Sequence, residues 1–133
     1  MKAFVITLEG NEYSEKKAQR CIETGERVGE VEVSRFKAVN KDEAQRVMES
    51  FGLKWTWAKL NTELSHCPIT KLRQHPYGKK QASLQSKIGC SMSHYLLWNM
   101  AVELGEPILI LEHDTVFTRK FPDFEFNGDL SDQ

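Results

Sequence analysis

Apolar and polar positions fall in short blocks along this chain, and the blocks predict strands and helices in alternation. Lys2–Leu8 is a brief apolar run containing Phe4, Val5 and Ile6 and closed by Glu9-Gly10-Asn11, the pattern of a buried strand entering a turn. Asn11 or Ser14 is placed to cap a helix over about Glu15–Thr24, with Gly25 and Gly29 ending it. Val31–Val39 reads as a second strand, with Val31, Val33 and Arg35 on one face. Ala44, Val47, Met48 and Phe51 recur at helical spacing over Lys41–Phe51, and Gly52 closes that helix. A further helix is expected over about Cys90–Leu104, carrying Met92, Leu96, Trp98, Met100, Ala101 and Leu104 and stopped by Gly105. Pro107–Leu111 then forms an intense apolar run, expected to be a central strand buried on both faces.

The stretch from Leu53 to Ser86 is less patterned. Trp55 and Trp57 suggest a short packed element, and Pro68 with His75-Pro76-Tyr77-Gly78 reads as loop and turn. Taken together the order is strand, helix, strand, helix, long insert, helix, strand. Such alternation predicts an α/β fold, a mostly parallel sheet with flanking helices. The length of 133 residues suits a single domain spanning 1–133. Open sheets of this kind usually hold about five strands or more. Only three or four are recognisable, so the sheet is expected to be incomplete.

Composition narrows the function classes. A 40% hydrophobic, 28% charged chain is expected to fold rather than stay disordered. A net charge of −1 gives no overall attraction for nucleic acid or an anionic membrane, so no nucleic-acid partner is expected. The apolar runs Ala3–Leu8 and Pro107–Leu111 fall far short of the ~20 residues that cross a bilayer. With no secretory pattern after Lys2, a cytoplasmic location is expected, at most at the inner face of the membrane. Cys21, Cys67 and Cys90 form no CxxC pair. His66, Cys67, His75, Cys90 and His94 lie close in sequence, but without the tight paired spacing of zinc sites, and Cys90 reads as a small apolar packing residue.

Chemistry is concentrated after the last strand. In parallel α/β sheets ligands bind beyond the carboxyl ends of the strands, where Glu112-His113-Asp114 falls. If the chain stays extended there, Glu112 and Asp114 point one way and His113 the other. Two convergent carboxylates would suit Mn²⁺ or Mg²⁺ shared with a substrate diphosphate; the plainer alternative is a turn with solvated acids. Between Glu63 and Glu103 there is no acidic residue, while Lys71, Arg73, Lys79, Lys80 and Lys87 all fall there. That basic segment would suit a diphosphate or be a solvated loop. Neither a P-loop nor a GxGxxG pattern occurs, which leaves ATP hydrolysis and dinucleotide chemistry without support.

These residues resemble a known family. Ile88-Gly89-Cys90-Ser91-Met92-Ser93-His94, then Leu97-Trp98, then Pro107–Asp114, looks like the core of glycosyltransferase family 25, the lipopolysaccharide-biosynthesis type. Phe4–Leu8 and Arg35–Asn40 resemble its opening strand and a later segment, so the likeness runs from about Lys2 to Phe124. The resemblance implies a GT-A fold and metal-dependent transfer of a sugar, galactose or a relative. The donor would be a nucleotide diphosphate sugar, a UDP-sugar for preference, and the acceptor a glycan or lipid-linked glycan. It implies Glu112 and Asp114 as ligands of Mn²⁺ or Mg²⁺, and Thr7, Leu8, Asn40, Ser93 and His94 as donor-binding residues.

Several positions depart from the family pattern. His113 stands for the middle Asp of its acidic triplet, Thr7 for an Asn, Asn40-Lys41 for Asp-Gly, and Lys87 for an acidic residue. The length suggests the N-terminal, donor-binding part of such an enzyme, with the general base outside the chain. Asp123, Glu125 and Asp129 lie in a short tail without a scaffold. The alternative is a module that binds nucleotide or a partner chain without turnover. An unfinished sheet edge would also favour self-association.

Overall fold

The computed structural model describes residues 1–56 and 83–122. Within them lie β1 (Lys2–Thr7), α1 (Glu12–Val28), β2 (Glu32–Lys37), α2 (Ala44–Ser50), α3 (Leu84–Leu104) and β3 (Ile108–Glu112). The three described strands form one parallel sheet in the order β2-β1-β3. The protein is therefore α/β, as its patterning predicts. Trp57, Cys67, the Lys71–Lys80 basic segment, the His75–Gly78 turn and the acidic tail from Asp123 all lie outside the described residues.

The central strand is β1. Its alternation buries Ala3, Val5 and Thr7 completely or nearly so, while Phe4 and Ile6 are half-buried on the other face. Ile6 pairs in register with Phe36 of β2 and with Glu112 of β3, so Glu112 is the carboxyl-end residue of the row that Ile6 occupies. The expectation that Pro107–Leu111 would be buried on both faces is corrected, and among the described strands β3 is not the central one. β3 has one strand neighbour among the described residues, and Ile108–Leu111 are half-buried throughout. An unbroken apolar run reports an apolar strand; it does not report where in the sheet that strand lies.

Helix α1 is longer than its glycines suggest. Asn11 caps it, its Oδ1 accepting from Ser14 N at 2.9 Å, and Gly29 ends it at φ 76°. Gly25 is inside the helix because a Cβ there would come within 2.7 Å of Val33 Cγ2, so the missing side chain lets α1 lie close on β2. Val5, Ala18 and Cys21 are fully buried between this helix and the sheet, with Ile22, Val33, Leu111 and Phe117 packed around them. On the same side Arg35 donates to Gln19 Oε1, which places it with Val33 as alternation predicts.

A second apolar cluster joins α2 to α3 through Val39, Ala44, Met48, Ile88 and Met92. α3 begins at Ser83, whose Oγ accepts from Ser86 N, and it stops at Gly105 in the left-handed conformation. It starts six residues earlier than Cys90, because Ser83 supplies a cap that outweighs the polar Gln85, Ser86 and Lys87. The inward face is Ile88, Gly89, Met92, Ser93 and Leu97. Trp98 and Leu104, two of the apolar residues by which the helix is recognised, are 58% and 41% exposed. Apolar and polar residues are spread round the helix without a preferred side, so periodicity alone could not choose the buried face. No helix among the described residues is long and apolar enough to cross a membrane.

Candidate functional site

A cleft of about 570 Å³ opens at the carboxyl ends of the strands. Four segments bound it: the β1–α1 turn from Leu8 to Asn11, the β2–α2 connection from Ala38 to Asp42, the first turns of α3, and Glu112 at the end of β3 with His113 after it. This is where an open parallel sheet exposes backbone ends and where ligands of such folds are held.

The α3 wall is set by two small residues. A Cβ on Gly89 would come within 2.5 Å of the Val39 carbonyl oxygen, so only glycine lets the helix approach that backbone. One turn later Ser93, fully buried, accepts from Val39 N at 2.9 Å and donates to Gly89 O at 2.8 Å. Its hydroxyl therefore satisfies a buried backbone N–H and fixes the β2–α2 connection against the helix. The spacing of Gly89 and Ser93 serves this docking, and a reading of the sequence as ligand chemistry overlooks it.

Next to Ser93, His94 is half-buried and lines the cleft. Its Nδ1 lies 2.9 Å from the Cys90 carbonyl oxygen. A carbonyl only accepts, so Nδ1 carries the proton and Nε2 keeps a lone pair. Such backing by a backbone carbonyl is the usual way to orient an imidazole whose second nitrogen meets a cation or a proton. Cys90 also lines the cleft and is exposed, which corrects the expectation that it packs as an apolar residue; partial burial, and then the Glu112 carboxylate, hold its thiol above the ordinary range. Glu112 is thus close enough to Cys90 to be felt electrostatically. The thiol is held protonated at neutral pH rather than activated as a nucleophile.

Asn40 lines the cleft in the turn that leads into α2, and its side chain closes that turn rather than capping the helix. Its Oδ1 accepts from Asp42 N and Glu43 N, and Glu43 Oε1 accepts from Asn40 N in return. The carboxamide oxygen is occupied, and the NH₂ group is what Asn40 has left to offer a ligand. Leu8 lines the cleft 37% exposed, its N–H donating to Ser14 Oγ at 2.9 Å. Thr7 is 4% exposed, donates its hydroxyl to Val5 O, and is not among the cleft-lining residues. On the rim, Lys37 and Glu9 pair at 3.5 Å, joining the end of β2 to the β1–α1 turn.

After β3 the chain does not stay extended. Thr115 N bonds back to Glu112 O at 3.0 Å, so residues 113 and 114 form a turn. The alternation that would put Glu112 and Asp114 on one side and His113 on the other does not apply there. Glu112 and His113 both line the cleft; Asp114 is exposed and lies outside the lining. His113 is held by Ser14 Oγ, 3.1 Å from its Nδ1, and packs edge-on against the Tyr13 ring at 5.8 Å. Among the described residues no group of three or more His, Cys, Asp or Glu side chains is close enough to hold a metal by itself.

The sequence profile of glycosyltransferase family 25 (LPS biosynthesis protein) matches residues 1–127. The chain belongs to glycosyltransferase family 25. No curated protein and no solved structure matches it. Membership implies a glycosyltransferase of lipopolysaccharide biosynthesis, with a nucleotide-sugar donor and a glycan acceptor in general terms. The family profile covers all four segments that bound the cleft.

Proposed function

We propose that this cleft holds the nucleotide diphosphate of a sugar donor, and that the chain is the donor-binding part, of GT-A type, of a metal-dependent hexosyltransferase. The observation that carries the reading is the convergence, in a family 25 chain, of one roomy cleft and the carboxyl ends of a parallel sheet. A volume of about 570 Å³ is in the range of small-molecule sites.

Within this reading the β1–α1 turn and the β2–α2 connection, with Leu8 and the Asn40 NH₂ group, receive the nucleoside. Mn²⁺ or Mg²⁺ would be held by Glu112 and Asp114, the two exposed carboxylates at the end of β3. Of the two, Glu112 lines the cleft and Asp114 lies outside its lining; a cation shared with a diphosphate needs only one or two protein carboxylates, so Glu112 alone would suffice on the protein side. The cation would neutralise the diphosphate as it leaves the sugar. His94, with its Nε2 lone pair, borders the same space. The sugar is proposed to be galactose or a relative, and the acceptor a glycan or lipid-linked glycan.

Titrating the purified chain with UDP and UDP-galactose, with and without Mn²⁺, tests this by calorimetry. Metal-dependent binding that Glu112→Ala and Asp114→Ala both weaken is the expected result. Binding indifferent to metal and to both variants would remove the cation from the reading. The absence of binding by the unaltered chain would remove the donor site. A second reading, donor binding without turnover, draws on His113 standing where a further carboxylate of the strand end is expected. Release of free UDP from UDP-galactose in the presence of a glycan acceptor would exclude it.

A further inference from the structure

The two histidines of the cleft are held in opposite ways. For His94 the carbonyl partner settles the tautomer. For His113 the partner is a hydroxyl, able to give or to accept, and the surroundings of Ser14 decide the matter. Ser14 is 1% exposed, so water does not serve its hydroxyl. Among the described residues its Oγ has two partners, the Leu8 N–H at 2.9 Å and His113 Nδ1 at 3.1 Å. The Leu8 N–H can only donate. The buried O–H proton of Ser14 needs an acceptor, and His113 Nδ1 is the one within reach. Ser14 therefore donates to Nδ1, and the ring proton of His113 resides on Nε2.

The geometry points to Ser14 and His113 as a preset unit that presents an imidazole Nε2–H donor to a phosphate oxygen of the donor's diphosphate. His113 is the residue that meets the ligand, and Ser14 positions it. The assignment rests on the reading of the cleft as the diphosphate site. Three features make the unit rigid. Ser14 lies in the capped first turn of α1, its own N–H held by Asn11 Oδ1. Tyr13 fixes the plane of the imidazole edge-on. The turn closed by Thr115 N and Glu112 O sets the backbone from which the ring projects. An N–H donor beside Glu112 gives the strand end a group that attracts phosphate oxygen directly, next to the carboxylate that would hold the cation. His94, proton on Nδ1, offers the complementary lone pair across the same cleft. One ring gives a hydrogen bond and the other accepts one.

The test separates the tautomer from the ligand contact. Long-range ¹H–¹⁵N correlation spectra of the full chain with ¹⁵N-labelled histidine should show His113 with its proton on Nε2 and His94 with its proton on Nδ1. Ser14→Ala should turn His113 into a mixture of tautomers and leave His94 unchanged. A His113 protonated on Nδ1 in the unaltered chain would overturn the preset unit. For the contact, UDP in the presence of Mg²⁺ is titrated against two isosteric variants. His113→Gln carries its amide near the place of Nε2, and should bind UDP within about threefold of the unaltered chain. His113→Asn carries its amide near the place of Nδ1, keeps the Ser14 contact only, and should bind about tenfold more weakly. Equal affinity of the two variants would overturn the phosphate contact. If the unaltered chain binds no UDP, the donor-site reading fails and the contact fails with it, while the spectra still decide the tautomer.

Discussion

The two faces of the sheet are closed in different ways, and the difference locates the chemistry. On the α1 side the helix is brought close by Gly25, whose missing Cβ leaves room for a side chain, Val33 Cγ2. Val5, Ala18 and Cys21 are buried completely, and Thr24 Oγ1 both donates to Cys21 O and accepts from Phe117 N. On the α3 side the close approach at Gly89 leaves room for backbone, the Val39 carbonyl. There the helix meets a connection rather than a strand, and the space left beyond the strand ends is the cleft. One helix seals its face; the other holds a loop in place and leaves an opening next to it. A tight glycine contact thus serves packing in the first case and site geometry in the second.

Substitutions at these contacts should separate the two roles. Gly89→Ala is expected to have the largest effect. Backbone at 2.5 Å cannot turn aside as a side chain can, so the cost should reach or exceed the ~1–3 kcal/mol typical of overpacking. Moving α3 away from Val39 should also weaken UDP binding by about tenfold or more, read by calorimetry beside a thermal melt. Ser93→Ala comes next. It leaves the buried Val39 N–H without its partner, and a loss of roughly 2 kcal/mol in urea unfolding is expected, again with weaker UDP binding. Gly25→Ala should cost about 1–2 kcal/mol, since Val33 can rotate to make room. It should leave UDP affinity unchanged. If Gly25→Ala impaired binding as much as Gly89→Ala, the distinction between a sealing face and a site-forming face would be wrong.

The smallest effect concerns Cys90. Burial and the Glu112 carboxylate both raise its thiol pKa, so less thiolate is present near neutral pH than for a free cysteine. Glu112→Gln removes the second of these causes and should modestly speed alkylation of Cys90 by iodoacetamide, mapped by mass spectrometry of the peptides. The gain should be visible below the raised pKa and vanish well above it, where the thiol is ionised in both proteins. An unchanged rate would place Glu112 away from Cys90 and so away from the α3 wall.

Much of this arrangement is legible in the amino-acid sequence. The order of elements, the Asn11 cap, the Gly105 stop and the position of Glu112 at a strand end all follow from local pattern. Local chemistry dictates those features. What escaped belongs to contacts between segments distant in sequence. Gly25 reads as a helix end because glycine commonly is one, and only the approach of Val33 explains its place inside α1. β3 reads as central because its residues are uniformly apolar, while among the described strands pairing puts β1 between the other two. The outward Trp98 could not be distinguished from inward Leu97 on a helix whose apolar residues favour no side. Of the candidate site residues, Leu8, Asn40, Ser93, His94 and Glu112 line one cleft, whereas Thr7 and Asp114 do not. The Ser93 hydroxyl is taken up by backbone. The hydrogen bond between Ser14 and His113 joins positions 99 apart, and no spacing rule announces it.

The central claim is that the cleft at the strand ends receives a nucleotide diphosphate while the α1 face does not. The most direct measurement is a ¹H–¹⁵N spectrum of the uniformly labelled chain recorded as UDP and Mg²⁺ are added. The account predicts shifts gathered at Leu8, Asn40, Cys90, His94 and His113, with Ala18, Cys21 and Gly25 unmoved. Shifts centred on the α1 face, or none at saturating UDP, would contradict it.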